Sequence, residues 1–350
     1  MTLAINRDYL IDTLTDMVRI NSINPSLTED GPGEAEIGRY VPRALRDLGM
    51  AVTILEAKPQ RPSIVGILKG TGRGRSLMLN GHLDTVGVKG MSNPFIPTIH
   101  DGNLSGRGAY DMKGSLAAYL TAAEALIASG KTLSGDLLIA AVADEEYASL
   151  GTAEVIKSHK TDGAIVTEPT EMSIYLAHKG FVWLEVETIG RAAHGSRFDE
   201  GIDANMHMGR FMAALDQLEQ EMRQRSGHPL TGPPSIHAAI ISGGTALSTY
   251  ADYCRLQIER RTVVGESEAQ VVSEIQDILN RLATDDPDFQ GMVKVFLTRE
   301  PYEISPETLI VRTLSQVSME VLGLRPPSST ACRTGWTQPC SRLLGLKPSR

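Results

Sequence analysis

Several strand-length apolar runs in this chain are followed at once by acidic side chains or a histidine. The runs are SLMLNGHLD at 76–84, DLLIAAVADEE at 136–146 and GAIVTEP at 163–169. A nearly continuous apolar run is typical of a strand that is buried on both faces. A long helical pattern, DMKGSLAAYLTAAEALIASG at 111–130, lies between the first two runs. Strands that alternate with long helices predict an α/β domain built on a mostly parallel sheet.

A second region with different patterning begins near Phe181. The stretch FVWLEVETIG alternates apolar and polar residues, as a strand with one solvent-exposed face does. Strand and helix patterns then follow in the order βαββαβ, which predicts a ferredoxin-like lid or dimerisation domain. The next helix, with Ser305 as its N-cap and Pro306 as its first residue, is expected to return to the first domain. We therefore predict a catalytic domain at 1–179 and 301–350, and an inserted domain at 180–300.

Composition argues against several classes of partner. The formal net charge is −8, so neither nucleic acid nor an anionic membrane surface is expected as the main partner. The sequence has no run of 18 apolar residues, and we expect no membrane span. Three cysteines make no disulfide framework, and this predicts a cytoplasmic protein.

The polar side chains at the strand ends predict a metal site. They are His82, Asp84, Asp144, Glu145, Glu146 and Glu168, and Asp111 joins them from a glycine-rich turn that opens a helix. In open α/β sheets, functional sites form beyond the carboxyl ends of the strands. A cluster of carboxylates there is unfavourable without a cation. One histidine with several carboxylates and no cysteine indicates a hydrolytic metal centre, with zinc first and manganese or cobalt next.

Four motifs carry a resemblance to a known family. GHLDTV, GRGAYDMKG, ADEE and TEPT occur in this order, and the chain thereby resembles the M20-type metallopeptidases. That family contains acetylornithine deacetylase, succinyl-diaminopimelate desuccinylase, aminoacylase and the glutamate carboxypeptidases. The resemblance implies a zinc-peptidase-like catalytic domain with an inserted lid domain.

The resemblance also implies a role for each residue of the predicted site. His82 is expected to bind one metal ion and Asp111 to bridge two, while Glu146 holds one ion and Glu168 the other. Glu145 is expected to act as general base, activating a water that attacks an amide carbonyl and passing its proton to the leaving amine. Asp84, two residues after His82, is expected to orient the His82 imidazole.

The predicted inserted domain contains three further candidates. GRAAHGSRFDEGIDAN resembles the segment whose histidine, here His194, hydrogen-bonds the developing oxyanion, often in the partner's active site of a dimer. Ser248 stands where the family commonly has Asn, at a point of substrate recognition. Arg261 matches an arginine that binds a substrate carboxylate. The resemblance implies a homodimer formed through this domain.

The family pattern also has a histidine ligand near the C-terminus, in a glycine-rich loop. The last of the eight histidines in this chain is His237, so this ligand is absent and the second metal site is expected to be compromised. In the frame that starts at the last base of the Trp336 codon, the first codon must be GAC, which encodes Asp. The codons that follow permit the family's D-A-A-L-L pattern. We interpret the tail from about residue 336 as a frameshift product, which the nucleotide sequence can test.

The sequence thus predicts a metal-dependent hydrolase that cleaves the amide bond of an N-acyl amino acid or small peptide. Two alternatives stay open. One is a catalytically impaired or silent family member, because of the missing histidine. The other is an aminopeptidase for longer peptides, which differs only in the shape of its pocket.

Overall fold

The computed structural model describes residues 3–322 of the chain. The helices in this range are α1 (Arg7–Arg19), α2 (Ile37–Asp47), α3 (Gly114–Ala128), α4 (Leu150–Ser158), α5 (Ala204–Gln224), α6 (Glu268–Asp285) and α7 (Leu309–Leu322). A single irregular turn, Ala109–Lys113, leads directly into α3. The predicted C-terminal frameshift concerns residues outside the described range. No described helix is both long and apolar enough to cross a membrane.

The strands belong to two larger sheets and two short pairs. They are β1 (Ala51–Glu56), β2 (Pro62–Leu68), β3 (Leu77–His82), β4 (Thr98–His100), β5 (Asn103–Ser105), β6 (Leu137–Val142), β7 (Gly163–Val166), β8 (Ala177–His178), β9 (Gly180–Ile189), β10 (Ser235–Gly243), β11 (Tyr253–Thr262), β12 (Gln290–Arg299) and β13 (Tyr302–Glu303). The described chain forms two compact units, residues 3–174 with 307–322 and residues 175–306. We call them unit 1 and unit 2.

Unit 1 is built on a five-stranded sheet in the order β1-β2-β6-β3-β7. Strands β6, β3 and β7 pair in parallel, whereas β2 is antiparallel to both β6 and β1. Four of the five strands therefore run in one direction and β2 runs against them. This confirms the predicted α/β domain with a mostly parallel sheet.

Helices cover both faces of this sheet. One core contains Met17 of α1, Val41 of α2 and Leu120 of α3, packed around Ile139 of β6. A second core contains Val155 of α4 and the opposite faces of β2, β3 and β6. All six residues of β6 are buried, which explains why the sequence of this central strand shows no polar alternation.

Unit 2 has the predicted βαββαβ order in β9, α5, β10, β11, α6 and β12. Its four-stranded sheet has the order β10-β11-β9-β12, and all neighbouring strands are antiparallel. Helices α5 and α6 cover one face, where Phe211 and Ile275 pack on Leu184 and Ile258. This is the order of a ferredoxin-like sheet, and the fold class predicted for this region is confirmed.

The unit boundaries fall at 174/175 and 306/307, whereas the sequence analysis predicts boundaries at 179/180 and 300/301. The difference arises from the pair β8–β13, in which Tyr302 lies opposite His178. The Ile304 N–H then donates to the Leu176 carbonyl at 2.8 Å. Strands of two residues have no detectable period in the sequence, so this pair was not predicted.

The predicted start of the last helix was wrong. The sequence analysis places the N-cap at Ser305, but α7 begins at Leu309 and residues 306–308 form a turn. The backbone is still paired with another segment at Ile304. It therefore needs a turn after that pairing before helical hydrogen bonds can begin.

Candidate metal centre

The predicted site residues of unit 1 meet at one edge of its sheet. His82 is the last residue of β3, the turn Asp144–Glu146 follows β6, and Glu168 follows β7. These three strands are parallel, so their carboxyl ends lie side by side. Asp111 comes from the irregular turn before α3, in which its own φ and ψ are not helical.

A close approach of this turn and α3 to β3 depends on Gly81. A Cβ atom at Gly81 would lie 2.9 Å from Met112 Cε and 3.0 Å from Leu116 Cδ2. Contacts this short would force the two side chains to move. The glycine before His82 therefore allows the segment that carries Asp111 to pack directly against the strand end.

His82 is the buried centre of the cluster, with 1% of its surface exposed. Its Nδ1 lies 2.8 Å from the Asp84 main-chain oxygen, and its Nε2 lies 2.9 Å from Asp111 Oδ1. Its Nε2 is also 3.9 Å from Glu145 Oε2 and from Glu168 Oε1. A carbonyl oxygen can only accept, so Nδ1 carries a proton and Nε2 faces the carboxylates.

Asp84 contacts the His82 ring through its main chain. The atom that orients the His82 ring is the Asp84 main-chain oxygen, whereas the nearest carboxylate oxygen is 3.7 Å from Nδ1. The Asp84 carboxylate instead accepts the backbone N–H groups of Glu145 and Glu146, at 3.0 and 3.1 Å. The side chain points across to the neighbouring strand end because β3 and β6 are adjacent.

Tyr119 of α3 holds the end of β7 and was not found in the sequence analysis. Its hydroxyl donates to the Asn80 carbonyl at 2.9 Å and accepts from the Thr167 N–H at 3.2 Å. Ser115, one helical turn earlier, donates to the Thr167 carbonyl at 2.9 Å. Both side chains therefore fix the backbone immediately before Glu168. In the sequence they are ordinary polar positions of a helix.

Burial dominates the ionisation of the site. It is the main reason why the pKa of Glu146 and that of Glu168 are raised to about 7; His82 opposes this rise, and repulsion from Asp111 adds to it. Burial, followed by repulsion from Glu168, raises the pKa of Glu145 well above its ordinary value. For His82, burial alone lowers the pKa, but Glu168, Asp111 and Glu145 together outweigh it and raise that pKa well above its ordinary value.

The donor set fits a divalent cation. Two sets, His82 with Glu145 and Glu168 and His82 with Asp111 and Glu146, each offer ligand atoms within 4.8 Å of one another. Within residues 3–322, Glu168 Oε1 is buried and has no hydrogen-bond partner. Excess buried negative charge and an unpartnered oxygen are both satisfied by a bound cation. Nitrogen and oxygen donors alone suit zinc, manganese or cobalt.

The cluster is open to solvent on one side. The Asp111 side chain is 48% exposed, whereas those of Glu145 and Glu168 are 6% and 13% exposed. Glu145, which the sequence analysis assigned as a base, lies in one of the two possible ligand sets. The geometry thus brings together all four predicted ligands and Glu145.

In unit 2, His194 and Ser248 lie close together. His194 forms an isolated bridge with Thr249, and the Gly195 N–H donates to the Ser248 carbonyl at 2.7 Å. His194 Nδ1 lies 3.3 Å from the Ser196 N–H and 2.9 Å from its hydroxyl. A backbone N–H can only donate, so Nδ1 accepts and the neutral ring carries its proton on Nε2.

Arg261 lies apart from His194 within unit 2. It is near the end of β11, roughly 26 Å along the strand from Tyr253 at about 3.3 Å per residue, whereas His194 pairs with Thr249, just before this strand begins. Its Nη1 donates to Glu259 at 3.0 Å, and its guanidinium lies 5.7 Å from the centre of the Phe181 ring. The predicted carboxylate-binding arginine thus already has an acidic neighbour in its own strand.

Comparisons with known proteins identify one family. Residues 78–342 match the family model described as peptidase family M20/M25/M40. The chain is 33% identical over 269 residues to N-formyl-4-amino-5-aminomethyl-2-methylpyrimidine deformylase of Bacillus subtilis, covering 71% of this chain and 63% of the relative. It is 29% identical over 269 residues to acetylornithine deacetylase of Myxococcus xanthus, covering 75% and 70%. The chain therefore spans roughly two thirds of the length of these relatives.

Solved structures agree on the fold. A tripeptidase from Staphylococcus aureus superposes with a TM-score of 0.76 at 19% identity, covering 98% of this chain and 88% of that one. A dinuclear metal-binding peptidase of the M20 family from Bacillus subtilis has a TM-score of 0.68 at 14% identity, with 94% and 85% covered. At these identities the likeness shows the fold alone.

Proposed function

Because the chain belongs to peptidase family M20/M25/M40, we propose that it is a metal-dependent hydrolase that cleaves the amide bond of an N-acyl amino acid or small peptide. The observation that carries this proposal is the buried cluster in which His82 Nε2 faces the carboxylates of Asp111, Glu145 and Glu168. The names of the two curated relatives, a deformylase and a deacetylase, support a small acyl group as the part that is removed.

His82, Asp111, Glu146 and Glu168 are the proposed ligands of up to two divalent cations. Zinc is the first candidate, with cobalt or manganese as alternatives. Such cations, when bound, polarise an amide carbonyl and lower the pKa of water. The exposed carboxylate of Asp111 supports an approach of both cation and substrate from its side of the cluster.

Glu145 is the proposed general base. It receives a proton from the attacking water and transfers that proton to the nitrogen of the leaving amine. Its burial supports this role, because burial and repulsion from Glu168 raise the pKa of Glu145. A carboxylate with a raised pKa holds the proton more tightly before it is passed on.

The proposed substrate contacts come from unit 2. His194 carries a proton on Nε2 when neutral, and this atom is the proposed donor to the developing oxyanion. Arg261 is the proposed partner of a substrate carboxylate, in exchange for or beside Glu259. Ser248 offers a short exposed hydroxyl where Asn is common in the family, so it suits a different substrate group at that point.

A second copy of this chain is the proposed partner of unit 2. Strand β10 is an edge of its sheet and presents Ile240 and Ile241, which are 59% and 54% exposed. The opposite edge, β12, carries Lys294, a charge that discourages strand pairing, whereas β10 has no Lys, Arg, Asp or Glu. Pairing of β10 with β10 of a second copy would satisfy the open edge and cover both isoleucines.

The proposed function can be tested with the full chain and Zn²⁺, Co²⁺ or Mn²⁺. We expect bound metal by mass spectrometry and hydrolysis of N-acetyl and N-formyl amino acids. Glu145→Ala is expected to lower kcat by at least about 100-fold, the usual worth of a general base. Glu154 of α4, whose side chain is 30% exposed and pairs with Lys157, provides the control Glu154→Ala.

Metal content separates two roles of Glu145. A Glu145→Ala protein that keeps its metal and loses turnover supports a base, whereas loss of one ion supports a ligand. Failure of the unaltered chain to bind metal and to hydrolyse any of these amides would instead support the silent family member.

A further inference from the structure

The turn Asp144–Glu146 is held by buried carboxylates at each of its three backbone N–H groups. The Asp144 N–H donates to Glu34 Oε1 at 3.0 Å, and the next two N–H groups donate to the two carboxylate oxygens of Asp84. Asp144 itself has a positive φ of 62°, a conformation that non-glycine residues rarely adopt. The direction in which Glu145 and Glu146 leave the backbone therefore depends on Glu34 and Asp84.

Arg61 joins two of the carboxylates behind this turn. Its Nε and Nη2 form a bidentate pair of hydrogen bonds with the Glu34 carboxylate, with Nη2 at 2.6 Å from Oε1. Nη2 also donates to Asp144 Oδ1 at 3.0 Å. Arg61 is 8% exposed and both acids are fully buried. Its single positive charge thus compensates two buried carboxylates. Replacing Arg61 by a neutral residue would therefore leave both carboxylates without a cation.

Asn24 joins the other pair of carboxylates. Its Nδ2 donates to Asp84 Oδ2 at 2.7 Å and to Asp144 Oδ1 at 3.1 Å. Its Oδ1 accepts the Ser26 N–H at 2.8 Å. The opposite orientation of the amide would set its oxygen against two carboxylates. The three acids Glu34, Asp84 and Asp144 are therefore linked into one buried network by Arg61 and Asn24.

We propose that Asn24, Glu34 and Arg61 are positioning residues of the metal centre, which fix the turn Asp144–Glu146 and thereby aim the carboxylates of Glu145 and Glu146. Their side-chain hydrogen bonds within residues 3–322 reach Asp84 and Asp144 and none of the four proposed ligands. The inference rests on the proposed function for its metal, but the positioning of the turn can be measured without metal. Substituting residues that orient metal ligands through hydrogen bonds typically lowers metal affinity by about 10- to 100-fold.

The test compares Arg61→Met and Asn24→Ala with a matched control, Arg260→Met. Arg260 is 1% exposed and lies between Glu266 and Glu274 in unit 2, so its replacement likewise removes a buried guanidinium from a pair of carboxylates. We expect Arg61→Met and Asn24→Ala to weaken Zn²⁺ binding by about 10- to 100-fold, measured by competition with a chromophoric chelator. Arg260→Met is expected to leave Zn²⁺ affinity unchanged.

Amide hydrogen exchange of the metal-free proteins supplies the second measurement. Faster exchange in the segment 143–149, without change in α2 or α4, is expected for Asn24→Ala, which alters no charge. Arg61→Lys keeps the charge but not the bidentate pair with Glu34. We expect its Zn²⁺ affinity to lie between those of Arg61→Met and the unaltered chain.

Two results would overturn the inference. One is a folded Asn24→Ala protein with unchanged exchange at 143–149. The other is Zn²⁺ affinity equal to that of the unaltered chain in both folded variants. If Arg61→Met does not fold, Asn24→Ala decides the question. If the unaltered chain binds no Zn²⁺, the proposed function fails, and the exchange of 143–149 still decides whether the turn is positioned by this network.

Discussion

The chemistry of each site histidine is set by one main-chain group. In His82 the Asp84 carbonyl holds the proton on Nδ1 and leaves Nε2 facing the carboxylates. In His194 the Ser196 N–H holds the lone pair on Nδ1 and leaves the proton on Nε2. We therefore propose opposite tasks for the two rings, the first to donate a lone pair to a cation and the second to donate a proton.

Ser196→Ala is expected to lower kcat by about 3- to 10-fold with little change in KM. The substitution removes one hydrogen bond, from the Ser196 hydroxyl to His194 Nδ1, and one such bond contributes about 0.5–1.5 kcal/mol. Steady-state kinetics on an N-acetyl amino acid measure the effect. Ser196→Thr keeps the hydroxyl and should restore kcat. Unchanged kcat in Ser196→Ala would show that the Ser196 hydroxyl does not help to hold the His194 ring for this role.

A buried histidine in unit 2 predicts a pH dependence of stability. Burial lowers the pKa of His178 from 6.5 to about 4. Its Nδ1 donates to the Lys179 carbonyl, and its ring stacks on Tyr302 at 5.5 Å. The unfolded chain takes up a proton at this residue below pH 6.5 and the folded chain does not. The contribution of neutral His178 to the free energy of unfolding is therefore fully present above pH 6.5 and is lost as the pH falls from 6.5 towards 4.

His178→Phe is expected to remove this acid-dependent loss of stability while keeping an aromatic ring against Tyr302. Between pH 7 and pH 5, the free energy of unfolding of the unaltered chain should fall by about 2 kcal/mol more than that of the variant. Urea unfolding at both pH values, followed by tryptophan fluorescence, measures the difference. His100→Asn is the control, because the His100 side chain is 89% exposed. Equal pH dependence in the variant and the unaltered chain would contradict the prediction.

Among the elements, α3 has the largest part in the site. It begins at the irregular turn with Asp111, packs on β3 beside Gly81 and reaches the end of β7 through Tyr119. The apolar character of this helix predicted its existence. Its polar contacts were not predictable, because a helical period identifies the buried face and does not identify the strand ends that its hydroxyl groups meet.

Tyr119→Phe is expected to destabilise unit 1 by about 1–3 kcal/mol, because it removes the hydrogen bonds of the hydroxyl with the Asn80 carbonyl and the partly buried Thr167 N–H, each of which contributes about 0.5–1.5 kcal/mol. The looser backbone before Glu168 should also weaken Zn²⁺ binding. Thermal unfolding and chelator competition measure the two effects. Tyr110→Phe, at a residue that is 69% exposed, should change neither. Unaltered Zn²⁺ affinity in Tyr119→Phe would show that Glu168 does not depend on this contact.

Prediction at this scale succeeded where an element repeats one period and failed where it does not. The alternation of FVWLEVETIG in β9 and the apolar run of β6 identified their exposed and buried faces. The reversed direction of β2 and the two-residue strands β8 and β13 leave no such signal. They follow from pairing with segments that are distant in the sequence.

For the whole molecule, the open edge of unit 2 leads to a prediction of oligomeric state. The unaltered chain is expected to be a dimer by light scattering, and Ile240→Lys on β10 is expected to make it a monomer. A charge at that position would have to be buried in a β10–β10 pair. Met292→Lys on the other edge strand, β12, is the matched control, because Met292 is 51% exposed. A monomeric unaltered chain, or a dimer in both variants, would contradict the pairing.

The amino-acid sequence alone determined which chemical groups are present and near which strand ends they lie. That was sufficient for the fold class, the family and the members of the cluster around His82, because periodicity and motif spacing are local properties. The tertiary structure decided how those groups are held. Asn24 and Asp144 are 120 positions apart in the chain, and yet they share a hydrogen bond beside the candidate metal centre. Contacts of that kind depend on how strands and helices pack in three dimensions, and no local pattern records them.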